Sequence, residues 1–149
     1  REKNINLLIK RHRLQLDYAV DDNKYSNISF LDDSDLTKHD FQLYELLAVV
    51  DALITDYSSV AIDFLLLDRP IGFTLDDYDK YRDSRGFVFE NPLEYMPGKH
   101  IYNLQELADF LADVAEGKDL YKQDRIRVRE KVHNETDNYS KRIVEYFNI

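Results

Sequence analysis

The sequence predicts an α/β domain, a parallel β-sheet with helices on both faces. Short apolar runs at residues 4–10, 28–31, 52–55 and 71–74 have the length and side chains of buried strands. Helical stretches alternate with them, and strands that alternate with helices pair in parallel. The chain has 149 residues and is 44% hydrophobic, which suits one domain with one core.

The elements follow in order. Residues 4–10 are apolar and end in charge, as a buried strand does. Residues 17–26 are polar and acidic, a loop or a short helix. A second strand is expected at 28–31, then an acidic turn at 32–35. Asp40 is placed to cap a helix that buries Phe41, Tyr44, Leu47 and Ala48, spaced by three and four. Residues 52–55 form a very short third strand. Residues 59–67 are apolar nearly all round, which predicts a buried helix. Pro70 introduces a fourth strand at 71–74.

Residues 75–98 are rich in Asp, Tyr, Arg, Pro and Gly, and read as a long functional loop with a brief strand at 87–89. Asn103 caps an amphipathic helix with Leu104, Leu107, Ala108, Leu111 and Val114 on one face. Glu106 stands where a capping box needs it, and Gly117 closes the helix. Residues 119–132 read as a charged surface helix. Residues 137–147 read as a last helix burying Tyr139, Ile143, Tyr146 and Phe147.

Composition narrows the function. Twenty Lys and Arg against 29 Asp and Glu leave a net charge of −9, which argues against a nucleic-acid binder. Without cysteine there is no disulfide scaffold, thiolate metal site or cysteine nucleophile. No apolar run is long enough to span a membrane. The four glycines stand far apart, so neither GxGxxG nor a Walker loop is present. The chain opens on Arg1 and enters a strand almost at once, which reads as a domain cut from a longer polypeptide.

The most informative stretch is Leu53-Ile54-Thr55-Asp56-Tyr57-Ser58-Ser59-Val60. A strand ends, hydroxyls and an acid follow, and a buried helix begins. Ligands of parallel sheets bind at the carboxyl ends of strands. Free N–H groups at a helix start, with the hydroxyls of Ser58 and Ser59, make a phosphate cradle without glycine. The plain alternative is that Asp56 or Ser58 merely caps the helix. Asp63 lies one turn beyond Ser59 among apolar neighbours, so its carboxylate needs partners. A ribose or polyol hydroxyl pair would suit it, and so would a capping network. Lys10-Arg11-His12-Arg13 follows the first strand, which points it at the same sheet edge, where His12 is suited to a leaving phosphate; the alternative is a solvated loop. Arg82 or Arg85 could close bidentately on phosphate oxygens, or simply pair with neighbouring Asp side chains. His39, His100 and His133 lack metal-ligand spacing and read as surface residues, so no metal site is expected.

These motifs together resemble the CDP-glycerol glycerophosphotransferase family, whose members prime or polymerise teichoic acids and related poly(polyol phosphate) polymers. The likeness rests on LITDYSSVAIDF at 53–64, DRPIGF at 68–73, YRDSRGF at 81–87, Pro97-Gly98, IKRH at 9–12 and DNYSKRI at 137–143, and covers about residues 5–145. Lys99 and Asn138 depart from the family pattern, which has proline and glycine there. The resemblance implies a Rossmann-like domain, the C-terminal half of a GT-B-type fold, that binds CDP-glycerol across 1–149. It implies Thr55, Ser58, Ser59, Asp63 and Arg82 as donor-binding residues, and His12 and Arg82 as catalytic ones. It further implies no cofactor beyond the donor, with CDP-ribitol or another activated polyol as the alternative donor. The acceptor would be a polyol-phosphate or lipid-linked hydroxyl. The base that activates it would lie on an N-terminal domain of the same enzyme, so this chain alone would bind donor without turnover. The whole enzyme would be cytoplasmic and peripheral at the inner face of the bacterial membrane. The competing readings are a GT-B glycosyltransferase that uses a nucleotide sugar, and a phospho-acceptor domain with Asp56 at a strand end. The latter wants an acidic pair after the first strand, where this chain has Lys10, Arg11 and His12.

Overall fold

The computed structural model describes residues 5–10, 25–133 and 137–148. It is an α/β structure in which every strand pairing is parallel. Strands β1 (Leu7–Lys10) and β2 (Ile28–Leu31) form one sheet, in register from Leu7 opposite Ile28 to Lys10 opposite Leu31. Strands β3 (Leu53–Thr55), β4 (Ile71–Thr74) and β5 (Lys99–Ile101) form a second sheet with β4 at its centre. Thr55 stands opposite Phe73, and Thr74 opposite Ile101. The strands therefore fall into two hydrogen-bonded sheets where one was expected: among the described residues β1 is hydrogen-bonded to β2 alone.

The central strand explains where the core lies. Ile71, Gly72 and Phe73 are buried as the middle strand of a covered sheet must be. Around them pack Leu47, Ala61, Phe64, Leu65, Leu75 and Val128. Gly98 permits the approach of β5 to β4: a Cβ there would fall deep inside the contact radius of the Ile71 carbonyl.

Several helices differ from expectation. The acidic run at 32–35 is the start of helix α1 (Asp33–Lys38), because Asp32 accepts from the Ser34 and Asp35 N–H groups while Asp35 accepts from the Asp32 N–H. Asp40 does not cap the next helix. It takes a left-handed φ of 51° just beyond α1. Helix α2 (Leu43–Val49) instead starts after Gln42, whose N–H donates to Glu45. Of the expected face only Leu47 is buried; Phe41, Tyr44 and Ala48 are exposed, and Leu43 and Val50 pack on the core instead.

Helix α3 (Val60–Phe64) tightens into a 3-10 turn at Leu65–Leu67. Phe64 and Leu65 are buried, but Leu66 and Leu67 are exposed, so the run is not buried all round. Within the expected long loop, Tyr78–Ser84 is helix α4 and Pro92–Tyr95 a 3-10 turn. The expected strand at 87–89 is absent, and the real strand is β5. The composition misled because Pro and Gly begin only at Gly86, whereas Tyr78 and Tyr81 carry helical spacing.

Helix α5 (Leu104–Ala115) is capped by the Asn103 side chain, and Gly117 follows with a φ of 67°. Its inward face is rotated: Phe110 is its buried residue, Leu107, Leu111 and Val114 flank it, and Leu104 and Ala108 are exposed. Helix α6 (Lys122–Val132) is more than a surface helix, since Arg125 and Val128 are fully buried. Helix α7 (Tyr139–Phe147) buries nothing. Tyr139, Ile143, Tyr146 and Phe147 are all exposed, contrary to expectation.

Candidate functional site

Parallel strands bring their carboxyl ends to one edge, here Thr55, Thr74 and Ile101. The Thr74 hydroxyl donates to the Thr55 carbonyl at 3.3 Å, which joins the ends of β3 and β4. Thr55, Ser58 and Ser59 therefore lie on this edge and on the turn that leaves it, with both serines exposed.

The turn has a definite hydrogen-bond pattern. The Asp56 carboxylate accepts from the Ser58 N–H at 3.0 Å. Ser58 Oγ faces the Val60 N–H at 3.5 Å, at the outer limit of a bond, and neither Asp56 nor Ser59 caps α3 with its side chain. The exposed side-chain donors of this turn are the hydroxyls of Ser58 and Ser59. Because α3 is five residues long before it tightens, its dipole contribution is small.

Asp63 is half-buried on the same helix, and Tyr44 on α2 donates its hydroxyl to Asp63 Oδ2 at 2.9 Å. That bond to a carboxylate raises the Tyr44 phenol above its ordinary 10.0. One Asp63 oxygen is thus held, and the other retains acceptor capacity.

Arg82 lies on α4, half-exposed, and is engaged with its neighbours. Nη1 is 2.9 Å from Asp79 and Nε 2.9 Å from Asp83. The bond to Asp83, then the charges of Asp83 and Asp79, hold its guanidinium pKa above the ordinary value. The structure brings Thr55, Ser58 and Ser59 together, puts Asp63 one turn along, and leaves Arg82 in a surface pairing with two aspartates. His12, with Arg11 and Arg13, lies outside the described residues. His100 and His133 are half-buried rather than surface residues, each with Nε2 against a backbone carbonyl, those of Met96 and Ile62.

The sequence reading missed Tyr57. Its ring meets Tyr81 at 4.2 Å between centroids, Phe87 at 5.3 Å and Tyr78 at 6.4 Å. Its hydroxyl donates to Asp77 Oδ1 at 2.8 Å. Burial pushes this phenol well above its ordinary 10.0, and the bond to Asp77 and the charges of Asp77, Asp76 and Asp56 push the same way. Aromatic spacing at Tyr78 and Tyr81, three residues apart, was the available signal.

A small cavity of about 20 Å3 lies at the opposite edge of the sheet, against Ile71 and Lys99 at the strand starts and Arg125 on α6. It is apart from the serine-bearing turn.

Residues 1–148 match the family described as CDP-Glycerol:Poly(glycerophosphate) glycerophosphotransferase. Among curated relatives, the teichoic acid glycerol-phosphate primase of Bacillus subtilis (strain 168) is 39% identical over 84 residues, 55% of this chain and 22% of the relative. The teichoic acid glycerol-phosphate transferase of Staphylococcus aureus (strain NCTC 8325 / PS 47) is 38% identical over 102 residues, 65% of this chain and 26% of the relative. The teichoic acid ribitol-phosphate primase of Bacillus spizizenii (strain ATCC 23059 / NRRL B-14472 / W23) is 45% identical over 59 residues, 39% of this chain and 15% of the relative. The chain thus spans between 15% and 26% of the length of these three relatives.

Proposed function

The chain belongs to the CDP-glycerol:poly(glycerophosphate) glycerophosphotransferase family, and from that premise we propose that it supplies the donor-binding part of an enzyme transferring glycerol phosphate from CDP-glycerol to a polymer or lipid-linked hydroxyl. The acceptor oxygen attacks the glycerol-bearing phosphorus, the bond to the CMP oxygen breaks, and CMP leaves. The hydroxyl proton goes to a base on an N-terminal domain of the same enzyme, so this chain alone binds donor without turnover. With that domain it forms a GT-B-type fold, and the whole enzyme works on lipid-linked acceptor at the inner face of the bacterial membrane. Among the described residues no helix is long and apolar enough to cross a membrane.

One observation carries the reading: the exposed Ser58–Ser59 pair at the carboxyl end of a strand in a parallel sheet. Phosphoryl transfer asks little covalent chemistry of a protein, and positioning with charge stabilisation dominates. The two hydroxyls serve the diphosphate, Thr55 borders it, and the free oxygen of Asp63 takes a hydroxyl of the polyol or ribose. Arg82 joins when a phosphate replaces Asp79 and Asp83 as its partner, an exchange of one anion for another at an exposed site. His12 belongs to the same proposal through its family position. No cofactor beyond the donor enters this scheme.

Amide-shift titration of the ¹⁵N-labelled chain tests it, with CDP-glycerol, CDP-ribitol, CMP and UDP-glucose. The expected result is shifts across residues 55–60 and at Arg82 with the cytidine ligands, CDP-glycerol giving the tightest binding. Shifts with UDP-glucose alone would replace the reading with a nucleotide-sugar transferase. Tighter binding of CDP-ribitol, in line with the ribitol-phosphate relative, would change the donor and keep the reaction class.

A further inference from the structure

We propose that Tyr57 and Asp77 act as a positioning pair for donor binding, a role that rests on the reading of the Ser58–Ser59 turn given above. Tyr57 directly precedes Ser58 on the turn after β3, and Asp77 sits on the turn after β4, immediately before α4. The 2.8 Å bond between them links two segments 20 residues apart in sequence at the ligand edge of the sheet. One carries the serine hydroxyls. The other leads into the helix that carries Arg82.

The surroundings make the link stiff. Tyr57 is held by Tyr81, Phe87 and Tyr78, two of which belong to α4 itself. Tyr78 also stacks on Phe87 at 5.1 Å and 24°. The phenol therefore cannot swing away without opening an aromatic cluster, and such contacts are directional. A second bond, from Thr74 to the Thr55 carbonyl, ties the same two strands one step below. Between them the two bonds hold the backbone on either side of Asp56. A charge-assisted bond of this kind is also stronger than a neutral one. Tyr57 and Asp77 thus set the direction in which Ser58 and Ser59 face and the distance from that turn to α4. Neither touches the donor.

The test is an amide-shift titration of the full 149-residue chain with CDP-glycerol and with cytidine, which lacks the diphosphate, for the natural protein, Y57F, D77A, D77N and Y57F/D77A. Y57F and D77A are expected to weaken CDP-glycerol about tenfold, the usual worth of a bond to a charged group, and to leave cytidine unchanged. Asparagine keeps an acceptor oxygen for the phenol but loses the charge, so D77N is expected to fall between, about threefold weaker than the natural protein. The double variant should be no weaker than either single one, because both remove one bond. Equal CDP-glycerol affinity in Y57F overturns the proposal. So does a matching loss of cytidine affinity, which would mark a merely structural role, and so does additivity in the double variant. If the natural chain binds neither CDP-glycerol nor cytidine, the donor-binding reading itself fails and takes this pair with it.

Discussion

Replacing Arg125 with methionine should destabilise the protein, by an amount that follows from its surroundings. The side chain is 1% exposed. Nη1 donates to Asp119 Oδ1 at 2.7 Å, Nη2 donates to Asp119 Oδ2, and Nη2 also reaches the Asp68 carbonyl and carboxylate at 3.3 Å. Breaking a fully buried ion pair costs about 3–5 kcal/mol. Here both carboxylates keep over a quarter of their surface in water, so about 3 kcal/mol applies. Against this, Arg125 Nε is buried without a partner among the described residues, and removing it returns about 1 kcal/mol. Methionine fills much of the same space. The net loss is about 2 kcal/mol, or about 4–8 °C in Tm for a chain of this size. Circular dichroism during heating measures it, with urea titration as a check on the slope. The pH dependence gives an independent reading. The bond from Arg125 holds the Asp119 carboxyl below its ordinary 3.8. A depressed carboxyl contributes stability above its unfolded value and loses it as the pH falls, here from about pH 5 downward. The gap between the natural protein and R125M should therefore narrow in acid. A variant with equal or higher Tm at pH 7 would refute the reasoning, and would mean that desolvation of the guanidinium outweighs its pairing.

Three further outcomes are expected. S58A/S59A should weaken CDP-glycerol at least about tenfold by titration, with Tm shifted by less than about 2 °C because both hydroxyls are exposed. R82A should leave the urea midpoint unchanged, since its partners Asp79 and Asp83 are solvent-exposed; reduced CDP-glycerol affinity with that unchanged midpoint would separate a ligand role from a structural one. G98A should lower stability by about 1–3 kcal/mol in urea unfolding, because the added Cβ meets the backbone of Ile71; no measurable effect would mean that β5 shifts away from β4 at little cost.

Parallel strands alternating with helices, the end of α5 at Gly117, and the exposed serines after β3 were legible from local pattern, because each depends on residues within one or two turns of chain. The motif at 53–64 also pointed to the family that residues 1–148 match. Errors clustered where a local pattern had two outcomes. An acidic run is both turn material and an N-cap signal, and at Asp32 the cap won because Asp35 stood three residues on. Lys99–Ile101 lies between the expected loop and the helix that Asn103 caps, too short to carry a pattern of its own, and is a strand because it pairs in parallel with β4.

Other features depend on contacts distant in sequence, which no local pattern encodes. Arg125 reads as one more charge on a charged helix, yet it is buried because Asp119 and Asp68, the latter 57 residues away, neutralise it there. Tyr44 reads as a core residue and instead stands exposed with its hydroxyl on Asp63. Tyr57 stands between an acid and two serines, and nothing in its immediate neighbours singles it out. Its part in the ligand edge arises because parallel pairing sets the ends of β3 and β4 side by side, so that residues 20 apart in sequence meet within 2.8 Å.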